Sequence, residues 1–325
     1  MSATSKHAVV IGGGIMGGDI ATVFAAHGWT VHVMSPSAKT RDALPARLAA
    51  GLSKLGAPAG HSAAVTCYAD LKSIPWANVG IVVEAATEDL PLKQKLFAEI
   101  EALAKPDIPL TSNTSNFPIG EIAKGLKNPQ RVAGLHFFMP AHLVPLVEVV
   151  SSPLTDAKVA EGLVKLLKDL NKAPIWVKKD VPGFVGNRLQ HAMMREALYL
   201  IDDGVTDAEG IDTAVRYGFG FRFIACGPMM QKEMSGWDTN YLVGEALYPH
   251  LHTEQKPPAS LKAMVDKGRT GSPSAPAGGR RWRSAWVALR SPSRTRPNTR
   301  PPTSRHRPAT IGAARLAPWG TAMWS

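Results

Sequence analysis

Short apolar runs alternate with amphipathic stretches over the first 180 residues. His7 to Ile11 reads as a buried strand. Ile15 to His27 places Ile20, Val23 and Phe24 on one helical face, and Gly28 ends it. Thr30 to Met34 predicts a second strand. Gly80 to Ala85, Ile108 to Thr111, Val132 to His136 and Pro145 to Val150 predict four more. Leu92 to Leu103 predicts a helix, with Leu92, Leu96, Phe97, Ile100 and Leu103 in helical period. Strands separated by helices of this length predict a doubly wound, mostly parallel α/β sheet with right-handed crossovers.

After Ile175-Trp176-Val177 the pattern changes. Val181-Pro182-Gly183 is a turn, and Phe184 to Asp202 reads as one long helix. Thr206-Asp207-Ala208-Glu209 has the form of a capping box that opens a helix running through Tyr217. No strand alternation follows, which predicts a smaller all-α domain. The expected organisation is therefore a sheet domain at 1–181, a helical domain at 182–271, cut short relative to a complete one, and a tail at 272–325.

The tail changes how charge is read. The chain of 325 residues carries 37 basic and 26 acidic residues, a net of +11. Residues 272–325 hold ten arginines, no lysine and no acid, so the body retains 27 basic and 26 acidic residues, a net of +1. That balance removes the electrostatic basis for nucleic-acid binding by the body. Pro, Ser and Arg without an aliphatic period predict a disordered tail. A change of reading frame in a GC-rich gene would produce such a composition. A natural basic tail for an acidic partner is the other account, and the absence of lysine favours the first. The two cysteines, Cys67 and Cys226, make neither a disulfide framework nor a zinc cluster. No stretch has the ~20 apolar residues of a membrane span. Polar residues Met1 to Lys6 lead straight into the first strand and leave no room for a secretory leader. A cytoplasmic enzyme or binding protein is expected.

Gly12-Gly13-Gly14-Ile15-Met16-Gly17 fits G-x-G-x-x-G between a strand and a helix. Alone it is a glycine-rich turn. In this context it predicts a Rossmann-type dinucleotide site with pyrophosphate at the helix N-terminus. The ribose position, where an acid is expected, holds Ser35. Ser37, Lys39 and Arg41 follow, either to hold a phosphate or as ordinary loop residues, so NADP competes with NAD. Ser112-Asn113-Thr114-Ser115 follows the 108–111 strand and faces the ligand crevice of such a sheet, and it equally suits a helix cap. His136 ends a strand. Glu148 lies inside the apolar run Leu146 to Val150, where a lone carboxylate is costly and needs a partner. His136 is the economical one, since a carboxylate on one imidazole nitrogen leaves the other free for a proton. Pairing with a lysine, or exposure, is the alternative. Asn187 and Arg188 follow Pro182-Gly183-Phe184 at the junction of the two regions, where Asn187 is placed to reach the interdomain crevice.

Taken together, these residues resemble the L-3-hydroxyacyl-CoA dehydrogenase family. The likeness spans roughly 7–271. It rests on the glycine fingerprint, Val83-Glu84-Ala85 with Glu88, Asn113-Thr114-Ser115, His136-Phe137-Phe138, Leu146-Val147-Glu148-Val149, and Pro182-Gly183-Phe184 with Asn187-Arg188. The resemblance implies an NAD-binding domain and a helical domain that dimerises. It implies His136 as catalytic base, Glu148 as its orienting partner, and Ser115 and Asn187 near the substrate's oxygens. It places Glu88 and Lys93 near the cofactor, beside Gly12, Gly14, Ile15, Met16, Gly17, Ser35 and Asn113. The implied reaction is oxidation of the 3-hydroxyl of an L-3-hydroxyacyl-CoA, in fatty-acid metabolism. Related members oxidise small free 3-hydroxy acids, of the L-gulonate or L-carnitine type, and a non-catalytic cofactor-binding protein is the reading from another class. Three departures stand out: Met139 where the family usually has asparagine, Ser35 in place of an acid, and the arginine-rich tail where more helix is usual.

Overall fold

The structure is a computed structural model and describes residues 5–268. The tail at 272–325, with the disorder expected of it, lies outside the described residues. An eight-stranded sheet forms from β1 (His7–Ile11), β2 (Thr30–Met34), β3 (Val65–Tyr68), β4 (Ile81–Glu84), β5 (Leu110–Ser112), β6 (Val132–Phe137), β7 (Leu146–Val150) and β8 (Ala173–Val177). Their spatial order is β3-β2-β1-β4-β5-β6-β7-β8. Neighbours pair parallel except β6 and β7, which are antiparallel. The order reverses at β1, the switch point where an open α/β sheet leaves a crevice at its strand ends.

Period-two alternation sends side chains to both faces. Ala8, Val10, Val31, Val33, Ile81 and Val83 pack on one face with α1 (Ile15–Ala26), α2 (Ala38–Lys54) and α5 (Ala157–Asp169). Val9, Ile11, Val82 and Leu110 pack on the other with α3 (Leu90–Leu103) and α4 (Ile119–Ile122). Pattern reading did not single out β3. It is a short edge strand, Val-Thr-Cys-Tyr, with no fully buried residue. α2 was also unforeseen, and it takes Ser37, Lys39 and Arg41 out of a loop. Ser37 caps it, accepting from the Thr40 N–H at 3.3 Å, and the other two lie in its first turns.

The remaining helices are α6 (Gly186–Asp202), α7 (Ala208–Thr213), α8 (Gly220–Phe223), α9 (Pro228–Ser235), α10 (Trp237–Leu247) and α11 (Ala259–Asp266). The capping-box expectation needs correction. Asp207, not Thr206, caps α7, its carboxylate accepting from the Gly210 N–H at 2.8 Å. Asp207 has the extended backbone that an N-cap requires, which leaves Thr206 one residue too early. Nor does that helix run evenly through Tyr217: Ala214–Phe219 is a π-helical turn, with Gly218 at φ −91° and ψ −105°. The chain divides into two compact units, 1–199 with 244–255, and 200–243 with the segment from 256 on. That division falls within α6, beyond the change of pattern at 181/182. Among the described residues no helix is long and apolar enough to cross a membrane.

Candidate active site

Two constellations lie in the sheet unit. The first is the β1–α1 turn. Gly12 has φ +102°, and a Cβ there would meet the Ala85 carbonyl oxygen at 2.5 Å. A Cβ on Gly17 would stand 1.7 Å from the Gly12 oxygen, so both positions exclude any other residue. Gly14 differs, because a Cβ there would meet nothing within 4 Å. The protein does not require glycine at that position, but a ligand lying against the backbone would. Gly14 is also the N-cap of α1, without a side-chain cap and with no acid in the first turn, so the helix leaves its N–H donors for an anion. Arg47 adds positive charge, donating from Nη1 to the carbonyls of Gly13 and Gly14 at 3.2 and 2.8 Å. Ile15 is exposed and Met16 half-buried beside the turn. These features fit a dinucleotide pyrophosphate.

The second constellation is a cross-strand pair. In the β6–β7 register His136 stands directly opposite Glu148, which explains their separation of twelve residues. His136 Nδ1 lies 2.7 Å from Glu148 Oε2. Glu148 Oε1 accepts from the backbone N–H groups of Val185 and Gly186 at 3.0 and 2.8 Å. The carboxylate is fully buried and the imidazole nearly so. Burial pushes the Glu148 pKa up, but the hydrogen bonds from His136, Gly186 and Val185 outweigh it, with a smaller contribution from His136 whenever the ring is protonated. The carboxyl is held below its ordinary range and is ionised. An ionised acceptor fixes the proton on Nδ1. Nε2 makes no hydrogen bond among the described residues and carries the lone pair of a base. Phe138 and Phe184 flank the ring, with centroids at 4.7 and 5.6 Å.

Other expected residues surround this pair. Asn113 stitches three strand ends: its N–H donates to Glu84 O at 2.6 Å, and its Oδ1 accepts from the Phe137 N–H at 2.8 Å. Ser115 is exposed in the loop after β5, its N–H donating to Glu88 at 3.2 Å. Asn187 is in the first turn of α6, next in sequence to the two N–H groups that hold Glu148. Ser35 directly follows β2, with no carboxylate beside it in sequence.

Lys93 is more deeply engaged than sequence suggested. It is buried, its Nζ lying 2.7 and 2.9 Å from the two oxygens of buried Glu84 and 3.2 Å from Glu88. Its charge offsets Glu84 at the end of a central strand and steadies the more exposed Glu88. Sequence reasoning also missed Asp19 and His142. Asp19 on α1 accepts from the Ala141 N–H at 3.2 Å and lies 3.2 Å from His142 Nδ1. Lys172 donates to the carbonyls of Ala141 and Val144 at 2.6 and 2.9 Å. Together they fasten the loop after β6 against the fingerprint helix. Two buried polar residues in separate apolar contexts gave the only sequence signal. Among the described residues no group of three metal-ligating side chains occurs.

A mostly parallel sheet with a glycine turn at its switch point and a histidine–carboxylate pair across its antiparallel β6–β7 pairing defines a nicotinamide-dependent dehydrogenase class. The chain belongs to the 3-hydroxyacyl-CoA dehydrogenase family: residues 7–181 match its NAD binding domain and residues 183–278 its C-terminal domain. Members are oxidoreductases acting on CH–OH groups with NAD. The chain is 34% identical over 250 residues to a 3-hydroxybutyryl-CoA dehydrogenase from Clostridioides difficile, covering 74% of this chain and 86% of that protein. It is 37% identical over 278 residues to a 3-hydroxyadipyl-CoA dehydrogenase from Escherichia coli K12, covering 82% of this chain but only 57% of the relative's length. A solved structure of 5-formyl-3-hydroxy-2-methylpyridine 4-carboxylic acid 5-dehydrogenase, an NAD+ dependent dismutase, superposes with a TM-score of 0.76 at 28% identity, covering 83% of this chain and 89% of that one.

Proposed function

We propose that this protein oxidises the 3-hydroxyl of an L-3-hydroxyacyl-CoA, such as 3-hydroxybutyryl-CoA, to the 3-oxo compound. The observation that carries the reading is the buried His136–Glu148 pair with Nε2 left free. The glycine turn and the N-terminus of α1 would hold the pyrophosphate of the dinucleotide, which when bound would supply the hydride acceptor. His136 Nε2 takes the hydroxyl proton as C3 loses hydride. In the reverse direction the imidazolium returns that proton to the forming alkoxide. Glu148 stabilises the imidazolium without itself taking a proton. Asn187 and Ser115 orient the substrate oxygens, and Phe138 and Phe184 restrict water at the ring. The relatives that act on CoA thioesters support this substrate class.

The 31% identity over 261 residues to an L-carnitine dehydrogenase/betainyl-CoA thioesterase from Ruegeria pomeroyi favours a second reading, a small free hydroxy acid, and Met139 in the loop after His136 would alter a substrate contact. A nicotinamide absorbance assay with acetoacetyl-CoA, L-gulonate and L-carnitine separates the two. Turnover of the thioester alone is expected; turnover of a free acid alone sinks the first reading. The protein is also proposed to act as a homodimer through its helical unit. Tyr217, Phe221, Ile224 and Met234 are all largely exposed there, which is apolar surface in need of a partner.

A further inference from the structure

The residue at the end of β2 faces the adenosine ribose in folds of this type. A carboxylate there grips a 2′-hydroxyl and repels a 2′-phosphate, whereas a nearby arginine accommodates the phosphate. Here that residue is Ser35, only 5% exposed. Its backbone is pinned on both sides. The N–H donates to Tyr68 O at 3.0 Å, and the carbonyl accepts from Arg41 Nη1 at 2.7 Å. Its hydroxyl has no hydrogen-bond partner among the described residues. The side chain faces the fingerprint: a Cβ on Gly13 would lie 3.2 Å from Ser35 Cβ and 3.6 Å from its Oγ.

Arg41 is tied to the same spot. Its Nη1 also donates to Pro36 O at 2.9 Å, so two carbonyls anchor the guanidinium beside Ser35. An arginine offers five N–H donors, and among the described residues Arg41 uses Nη1 alone. The first turn of α2 contains Lys39 and no acid. Arg47 brings a second guanidinium to the glycine turn. The neighbouring acids are Asp42, further along α2, and Asp70 after β3. Asp70 accepts from the N–H and hydroxyl of Ser73 at 2.9 and 3.0 Å.

We propose that the ribose end of this site takes a 2′-phosphate, so that the chain binds NADP(H) in preference to NAD(H), with Ser35 and Arg41 as the specificity-determining residues. The proposal rests on the dinucleotide-binding reading of the fold. It departs from the NAD(H) use general to the family.

The full-length protein, without substrate, is titrated with NADPH and with NADH while nicotinamide fluorescence is followed. NADPH is expected to bind at least roughly tenfold tighter, because a charge-assisted fork grips the phosphate. Its affinity should also fall more steeply with salt. Arg41→Gln removes the charged guanidinium fork and is expected to cost NADPH about tenfold and NADH much less. Ser35→Asp leaves the Arg41 anchorage in place and should reverse the order of the two dinucleotides; it carries the test should the Arg41 variant not fold. NADH binding as tightly as NADPH, or Arg41→Gln weakening both alike, overturns the proposal. Binding of neither dinucleotide overturns it too, but through failure of the dinucleotide reading itself.

Discussion

In the sheet unit, α1 buries nine consecutive residues, Gly17 to Ala25, and β4, β5 and β6 are buried throughout. In the helical unit α7, α8, α9 and α11 bury none of their residues. The first unit closes its own core on both faces of one sheet. Among its described residues the second has helical pattern without an interior, and Ile224 is 94% exposed. The contrast shows which part of the chain can hold a catalytic geometry by itself. A base must be fixed to within a fraction of an ångström, and fixation of that kind needs neighbours that cannot move. His136 has them: a paired strand, a buried carboxylate and two aromatic rings. No described helix wholly within the second unit offers comparable support.

The largest expected effect lies at the imidazole. His136→Ala should lower kcat by roughly 10²–10⁴-fold, the usual contribution of a positioned acid–base group. Glu148 keeps the Val185 and Gly186 N–H groups in that variant, so the sheet unit should stay folded. Steady-state turnover combined with circular dichroism checks both halves. Full turnover by the folded variant would show that a rigid surround is not what this chemistry uses.

A matched pair of phenylalanine deletions tests the packing side directly. Phe97 on α3 is buried and Phe221 on α8 is 75% exposed. Phe97→Ala should destabilise by about 3–5 kcal/mol through lost burial and a cavity. Phe221→Ala should stay within about 0.5 kcal/mol in the dissociated chain. Urea unfolding of each variant gives the comparison. Equal losses would mean that Phe221 is covered by something the exposed helices do not show.

The proposed pairing of two copies predicts a smaller change that only association reveals. Ile224→Asp should weaken self-association at least roughly tenfold, because a carboxylate would have to be desolvated in an apolar contact. Sedimentation over a concentration series measures it. A parent protein that stays monomeric at all concentrations rules the pairing out.

The same contrast governs what could be read from sequence. Glu148 was legible because a carboxylate inside an apolar run demands a partner, and antiparallel pairing brings residue 136 opposite 148. The fingerprint was legible because Gly12 and Gly17 answer local steric demands, within a strand–turn–helix context. Glu84 with Lys93, and Asp19 with His142, were not read as pairs. Their partners come from different elements, and only packing chooses them. β3 escaped because an edge strand has no buried face to impose alternation. The interruption after α7 escaped because helical period says nothing about a π turn at Gly218.

The smallest predicted effect separates the two units by pH. His32 on β2 is buried between His7, at 3.2 Å from Nε2, and the Tyr68 hydroxyl, at 3.2 Å from Nδ1. Burial first, and the charge of His7 second, hold its pKa below the ordinary imidazole value of 6.5. The unfolded chain therefore takes up a proton near pH 6.5 that the fold still refuses. Stability from a neutral His32 is complete above that pH and is lost as pH falls through the lower folded value. The helical unit has no histidine among its described residues, so its helices should not share this loss. Hydrogen exchange, corrected for the intrinsic rate and compared at pH 8 and pH 5.5, should show β2 amides losing protection while α9 amides do not. His32→Gln, which removes the titration but keeps polar atoms near His7 and Tyr68, should reduce the β2 loss. If α9 loses protection in step with β2, the units unfold as one body, and the division between a self-sufficient sheet and dependent helices fails.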